Sequence, residues 1–414
     1  MRKTWTLSLA LALPLALAAC GGSAPAGTSK GDGGQSGGTI KIGSLHPLSG
    51  SSAADGQQMD NGAKLAVEAI NNAGGIKSQG GKKLELLSGD TQGKPEVGQS
   101  EAQRLIQAGA VGLVGTYQSA VTTNVATVSE RNKVPLVIDV SSADSILAQG
   151  YKYTFRVQPS STVLGTAGAD YLEQVAKAAG KPVKKVAVLH EQGAFGTAVR
   201  DAFKAEAAKA GIEVGPAIAY DAANVSDLTT QLTQVKASGA DVLMVAGYYR
   251  DGVLVAKAVD TVKPALNAVY GVADGAFDLP QFPKEVGAAG EGYFDANYHA
   301  DMTNPDMQAL AKLYQERYND QIRTGAVLAY DSVKVIADAL EKSGSADPKK
   351  VRDAIATGSV PTLIAGKGPI KFGPTGENEN ASPILMQVQG GVPKQVFPAD
   401  KAETQPIYPA FKSQ

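Results

Sequence analysis

The sequence predicts an α/β protein of two doubly wound lobes, each a parallel sheet covered by helices. Three observations carry that expectation. Short β-branched or aliphatic runs alternate with amphipathic helical stretches from residue 39 onward. The alternation comes as two successive series that divide near residues 153–158. At 414 residues the chain is also longer than a single hydrophobic core normally serves.

In the first series, residues 39–44 read as a strand, 56–73 as a helix, 83–88 as a strand and 94–108 as a helix. Residues 111–114, 119–131 and 135–139 continue the pattern. The second series reads as helix 162–179, strand 185–190, helix 195–210, strand 213–219, helix 228–237, strand 242–246 and helix 251–259. Helices over 305–318, 326–342 and 348–357 then follow without strands between them, so the chain is expected to return over a sheet already made. Short strands near Ile370 and over 384–388 complete the pattern.

The chain opens with Arg2 and Lys3 and an almost pure Leu/Ala run over 7–18, too short to cross a membrane as a helix. Leu17-Ala18-Ala19-Cys20 follows and resembles the lipobox of bacterial lipoproteins. The resemblance implies a signal peptide over 1–19, cleavage before Cys20 and a lipid on its thiol, anchoring an extracytoplasmic protein to the cell membrane. The other reading is a plain secretory signal with an incidental cysteine. Residues 20–38, rich in Gly, Ser and Ala, read as a flexible tether with a reach on the order of 20 to 25 Å.

Cys20 is the only cysteine, which excludes an internal disulfide, a cysteine zinc cluster and a thiol nucleophile in the domain. The formal net charge is −1 with both signs interspersed, and neither nucleic acid nor an anionic membrane is an expected partner. His46, His190 and His299 lie far apart without helical ligand spacing, so no metal or other cofactor is expected. A nucleophile elbow, a Walker A loop and a dinucleotide fingerprint are all missing; Gly366-Lys367-Gly368 lacks the hydroxyl that would hold magnesium. An enzyme is therefore not expected.

In parallel α/β sheets ligands bind beyond the carboxyl ends of the strands. The loops to watch are 45–55, 115–119, 139–144, 190–195, 247–251 and 271–277. They carry IGSLHPLSG over 42–50, GTYQSAVT over 115–122, Phe155-Arg156 and VAVLHEQGAFG over 186–196, with NGAKLAVEAINNAGG over 61–75 between them. These segments, in order and with compatible spacing, resemble the branched-chain amino-acid binding proteins of ABC importers. The resemblance implies the type I periplasmic binding fold, two lobes joined by a three-segment hinge that close on a small ligand and deliver it to a permease and its ATPase. The expected division is 39–158 and 292–372 in one lobe, 159–291 and 373–414 in the other, the last segment including a C-terminal tail.

The same resemblance implies a binding site. A ligand carboxylate would meet the Ser119 hydroxyl and the loop Val140, Ser141 and Ser142. Free N–H groups at the start of the helix beginning near Ser119 also favour an anion there, although Ser119 reads equally as a helix cap. An ammonium would meet Asp274 and groups around Tyr248, although Asp274-Gly275 also reads as a simple turn. Asp55, Tyr117, Phe195 and Tyr248 would line the side-chain end, with His46 and Gln118 adding polarity unusual in an aliphatic pocket. The ligand expected is a small amino acid or related carboxylate. A ligand-sensing receptor for amides, aromatic acids or amino acids that signals through a membrane partner is the alternative, and a hydrolase on this scaffold a third reading.

Overall fold

The computed structural model describes residues 38–411; the expected signal peptide, Cys20 and the tether up to residue 37 lie outside them. The first sheet contains β1 (Ile40–His46), β2 (Leu84–Asp90), β3 (Ala110–Gly115), β4 (Leu136–Ile138) and β5 (Thr154–Arg156). They lie in the order β2-β1-β3-β4-β5, all parallel. The intervening helices are α1 (Ala53–Asn72), α2 (Pro95–Gln107) and α3 (Ser119–Asn132). The chain then crosses to a second unit: α4 (Ser161–Ala178), β6 (Lys185–Glu191), α5 (Ala194–Lys209), β7 (Glu213–Tyr220), α6 (Thr229–Ser238), β8 (Val242–Ala246), α7 (Tyr249–Val262), β9 (Ala268–Val272), α8 (Gln281–Val286) and β10 (Phe294–Asn297). It returns to the first lobe for α9 (Pro305–Tyr318), α10 (Thr324–Ser343) and α11 (Pro348–Thr357), then crosses again to β11 (Ile384–Val388) and β12 (Pro393–Phe397). The second sheet runs β12-β11-β10-β9-β8-β6-β7, parallel from β10 to β7 with β11 and β12 antiparallel at one edge.

Both sheets are covered on both faces, which is why central strands such as β3 and β8 read as unbroken apolar runs. In the first lobe Ile42, Val114 and Val137 meet Met59 of α1 and Val333 and Ile336 of α10. On its other face Leu45, Leu113 and Leu136 meet Leu105 of α2 and Val125 of α3. In the second lobe Val186, Val188 and Met244 pack on Leu164 of α4 and Phe203 of α5, and Leu189 and Val245 on Leu232 of α6 and Val255 of α7. Local signals set several helix starts. Ser160 accepts the Val163 N–H at 3.4 Å to cap α4, while Asn304-Pro305 and Asp347-Pro348 place a capping side chain and a first-turn proline on α9 and α11. Gly62 lets α1 reach α10: a Cβ there would stand 2.0 Å from the Ala326 carbonyl oxygen.

Several expectations need correction. The first helix begins at Ala53, so Asp55 sits in its first turn rather than in the preceding loop. Residues 294–297, expected within the first lobe, form β10 between β9 and β11 of the second sheet, so the chain returns after Asn297. Ile370 makes only an isolated bridge to Val360 in place of a strand.

Candidate functional site

The carboxyl ends of the two sheets face each other across a cleft that is open to solvent at its mouth. The first lobe contributes the start of α1, the β3–α3 and β4–β5 loops and the start of α10. The second contributes the start of α5 and the segments after β8, β9 and β10. Of the residues expected from sequence, Asp55, Tyr117, Ser119, Val140, Ser141, Ser142, Phe195 and Tyr248 line it together.

One wall is built of hydroxyls and free N–H groups. Ser119 is the first residue of α3, with Gln118 in the capping position, so the free amides of the helix start lie beside its hydroxyl. Its Oγ accepts the Ala143 N–H at 3.3 Å, tying α3 to the 140–143 loop. Ser141 Oγ donates to the Thr116 carbonyl at 2.7 Å and is a structural brace. Ser142 Oγ lies 3.0 Å from Ser161 Oγ at the first crossover. The aromatic floor spans the lobes: Tyr117 meets Tyr248 with ring centres 5.2 Å apart, and Phe195 meets Tyr248 at 5.6 Å. Burial pushes the Tyr117 and Tyr248 phenols well above their usual range, keeping both neutral.

Three of the expected side chains lie elsewhere. His46 is wholly buried, its Nδ1 3.0 Å from Ser44 Oγ and its Nε2 2.7 Å from Asp139 Oδ2. Asp139 in turn accepts the Val140 N–H at 2.8 Å, so His46 supports the loop without reaching the cleft. Gln118 donates through Nε2 to Ser52 Oγ at 3.1 Å, bracing the start of α1. Asp274 is wholly buried and points at α7, where a Cβ on Gly252 would stand 2.4 Å from its Oδ1. Asp274 Oδ1 accepts the Ala276 N–H at 3.0 Å and closes the turn, so the turn reading is the one its contacts fit.

The acid that the second lobe brings to the cleft is Asp278, four residues further on. Its Oδ2 is buried without a protein partner, and burial pushes its carboxyl up to about 7. Behind it, burial and the neighbouring acids raise the Asp295 and Asp274 carboxyls well above the carboxylate range. The Asp274 N–H donates to Asp295 Oδ1 at 3.3 Å, and Asn297 Nδ2 donates to the Asp274 carbonyl at 3.0 Å, which locks this group together. At the other end of the cleft Asp55 pairs with Arg323, whose guanidinium stacks 4.1 Å from the centre of the Tyr249 ring. Burial raises the Asp55 carboxyl, and the Arg323 charge opposes that rise.

Asp278, Tyr298 and Arg323 escape sequence reasoning: Asp278 follows a turn in a segment without periodicity, and Arg323 stands 268 residues from Asp55. Among the described residues, no group of His, Cys, Asp or Glu could hold a metal ion, and no helix is long and apolar enough to cross a membrane.

The family model described as periplasmic binding protein matches residues 39–392. Leu/Ile/Val-binding protein homolog 8 of Brucella abortus is 31% identical over 375 residues, covering 88% of this chain and 91% of the relative. Leu/Ile/Val-binding protein BraC3 of Rhizobium johnstonii is 32% identical over 362 residues, covering 85% and 92%. Among solved structures, the branched-chain amino acid transporter substrate binding protein LivJ of Streptococcus pneumoniae, in complex with isoleucine, superposes with a TM-score of 0.75 at 23% identity. That alignment covers 89% of this chain and 99% of LivJ. An ABC transporter solute binding protein of R. palustris in complex with benzoate gives 0.74 at 21% identity, covering 87% and 96%. These proteins share the two-lobed α/β fold described above. With the family model and the 30%-level relatives spanning nearly all of the domain, this chain belongs to the periplasmic binding protein family, whose members bind solutes and are not enzymes.

Proposed function

We propose that the protein is the extracytoplasmic solute-binding component of an ABC importer, capturing a small amino acid between its lobes and delivering it to a membrane permease with its ATPase. The observation that carries this reading is the Asp278 carboxyl, whose Oδ2 has no hydrogen-bond partner, lining the same cleft as Ser119 and the start of α3. One wall offers donors to a carboxylate and the other offers an acid to an ammonium, which is the charge pattern of a zwitterion. The side-chain roles assigned to Ser119, Val140, Ser142, Tyr117, Phe195, Tyr248 and Asp55 follow from their place on that cleft. The named ligands of the relatives, leucine, isoleucine and valine, agree with the amino-acid part of the reading.

Because the lobes are linked by three crossovers, closure brings both walls onto the ligand at once, and only the closed form makes both sets of contacts. In this reading Cys20 carries the lipid that keeps the trap beside its permease. A thermal-shift screen of amino acids and small carboxylates tests the function, since a ligand that binds only the folded protein raises its melting temperature. A response to an α-amino acid that Ser119→Ala weakens about tenfold is expected. Responses to carboxylates lacking an amino group, with none to amino acids, would remove the amino-acid reading. Cys20→Ala should release the protein from the membrane fraction without changing affinity.

A further inference from the structure

The far end of the cleft is neither apolar nor singly charged. Asp55 and Arg323 form an ion pair whose side chains are 13% and 12% exposed, and both line the cavity. The guanidinium is held from two sides, with Asp55 engaging its Nη1 and Tyr249 of the opposite lobe lying under its plane, while the Arg323 main-chain N–H donates to Gln58 Oε1 at 3.2 Å. Gln58 is saturated, since its Nε2 donates to Asp320 Oδ2 at 2.7 Å and to the Gln321 carbonyl at 3.0 Å. What remains unpaired and buried here is Arg323 Nε and, on the next residue, Thr324 Oγ1. Thr324 lines the cavity too.

A buried N–H without an acceptor is destabilising, and a ligand that ends in hydrocarbon leaves it so. An anionic end would compete with Asp55 for the same guanidinium, and a cationic end would face Arg323. A neutral group with an acceptor and a donor side by side satisfies both members of the pair: its carbonyl oxygen takes the Arg323 Nε–H or the Thr324 hydroxyl proton, and its N–H reaches an Asp55 oxygen. We propose that Asp55, Arg323 and Thr324 form a specificity subsite for a carboxamide, so that the ligand is an amino acid whose side chain ends in an amide. The proposal rests on the amino-acid reading of the cleft.

Isothermal titration of the purified protein compares asparagine with its shape-mimic leucine, and glutamine with homoleucine, alongside glutamate and lysine. One carboxamide is expected to bind at least about tenfold more tightly than its hydrocarbon mimic and than either charged amino acid, because a site built on hydrogen bonds rejects analogues that lack them. The double variant Asp55→Leu with Arg323→Met removes both charges together, which avoids stranding one of them. It should erase that preference, so that each carboxamide and its hydrocarbon mimic bind alike. Leucine, homoleucine or glutamate binding as tightly as the carboxamides would overturn this inference and leave the amino-acid receptor standing. A preference unchanged in the double variant would overturn the residue assignment, and no binding of any amino acid would overturn both readings.

Discussion

Arg156, wholly buried at the end of β5, directs its Nε 3.0 Å from Glu377 Oε2, joining two stretches of chain 221 residues apart. Arg156 stands where the chain first leaves the first lobe, and Glu377 lies on the last crossover, so one ion pair fastens two of the three connections between the lobes. The same guanidinium donates through Nη1 to the Ala143 carbonyl at 2.9 Å, and Gln158 Nε2 donates to the Ser141 carbonyl at 2.7 Å. The hinge and the loop facing the cleft are therefore held by one set of hydrogen bonds.

Arg156→Met should lower stability by about 3 kcal/mol, since it leaves Glu377 and the loop carbonyls without their donor. Urea denaturation measures the loss. Ligand affinity should fall together with stability, and a variant that unfolds earlier yet binds unchanged would uncouple the hinge from the loop.

Asp278→Asn should weaken binding of an amino acid about a hundredfold, the usual scale for removing one partner of a buried charge pair. Asp274→Asn should leave affinity within a few-fold, because that side chain closes a turn behind the cleft. Titration calorimetry of the two variants side by side decides between the two acids, and the reverse ranking would restore Asp274 to the site.

The Asp278 carboxyl, raised to about 7 from an ordinary 3.8 by burial, gives binding a pH dependence. Without ligand the folded protein holds this proton from about pH 4 to pH 7. Its contribution to stability is therefore complete below the unfolded value and lost as pH rises through the folded one. An ammonium ligand prefers the ionised carboxylate, so affinity should rise about tenfold from pH 6 to pH 8 with release of a proton. Calorimetry in buffers of different ionisation enthalpy reads the proton directly, and Asp278→Asn should flatten the profile.

Gly62→Ala should destabilise the protein by about 2 kcal/mol by forcing α1 off the Ala326 carbonyl of α10. Thermal unfolding of the variant measures it, and an unchanged midpoint would mean that the two helices can separate freely.

The architecture was legible wherever burial on both faces leaves an unbroken apolar run, as in Val242–Ala246, or where a cap and proline mark a helix start, as at Asn304-Pro305. It was illegible at Phe294–Asn297, because Asp295 and Asn297 alternate with apolar neighbours in only four residues and read as loop. In the site, residues on loops directly after strands could be placed, but the direction of a side chain could not. His46 faces Asp139, 93 residues away, and Asp274 faces α7; both orientations depend on partners that no local pattern announces. Arg323 could not be tied to Asp55 for the same reason. Their meeting is a product of the return of α10 to the first lobe.

The ring contact between Tyr117 of one lobe and Tyr248 of the other has a spectroscopic consequence. The only tryptophan in the sequence is Trp5, within the proposed signal peptide, so a secreted form cleaved before Cys20 would emit from tyrosine alone. With no indole to drain that emission, separating or joining these two rings changes the quenching of a pair that straddles the moving boundary. The unlabelled protein thus carries its own optical reporter of opening and closing, and stopped-flow tyrosine fluorescence can time the capture of a ligand.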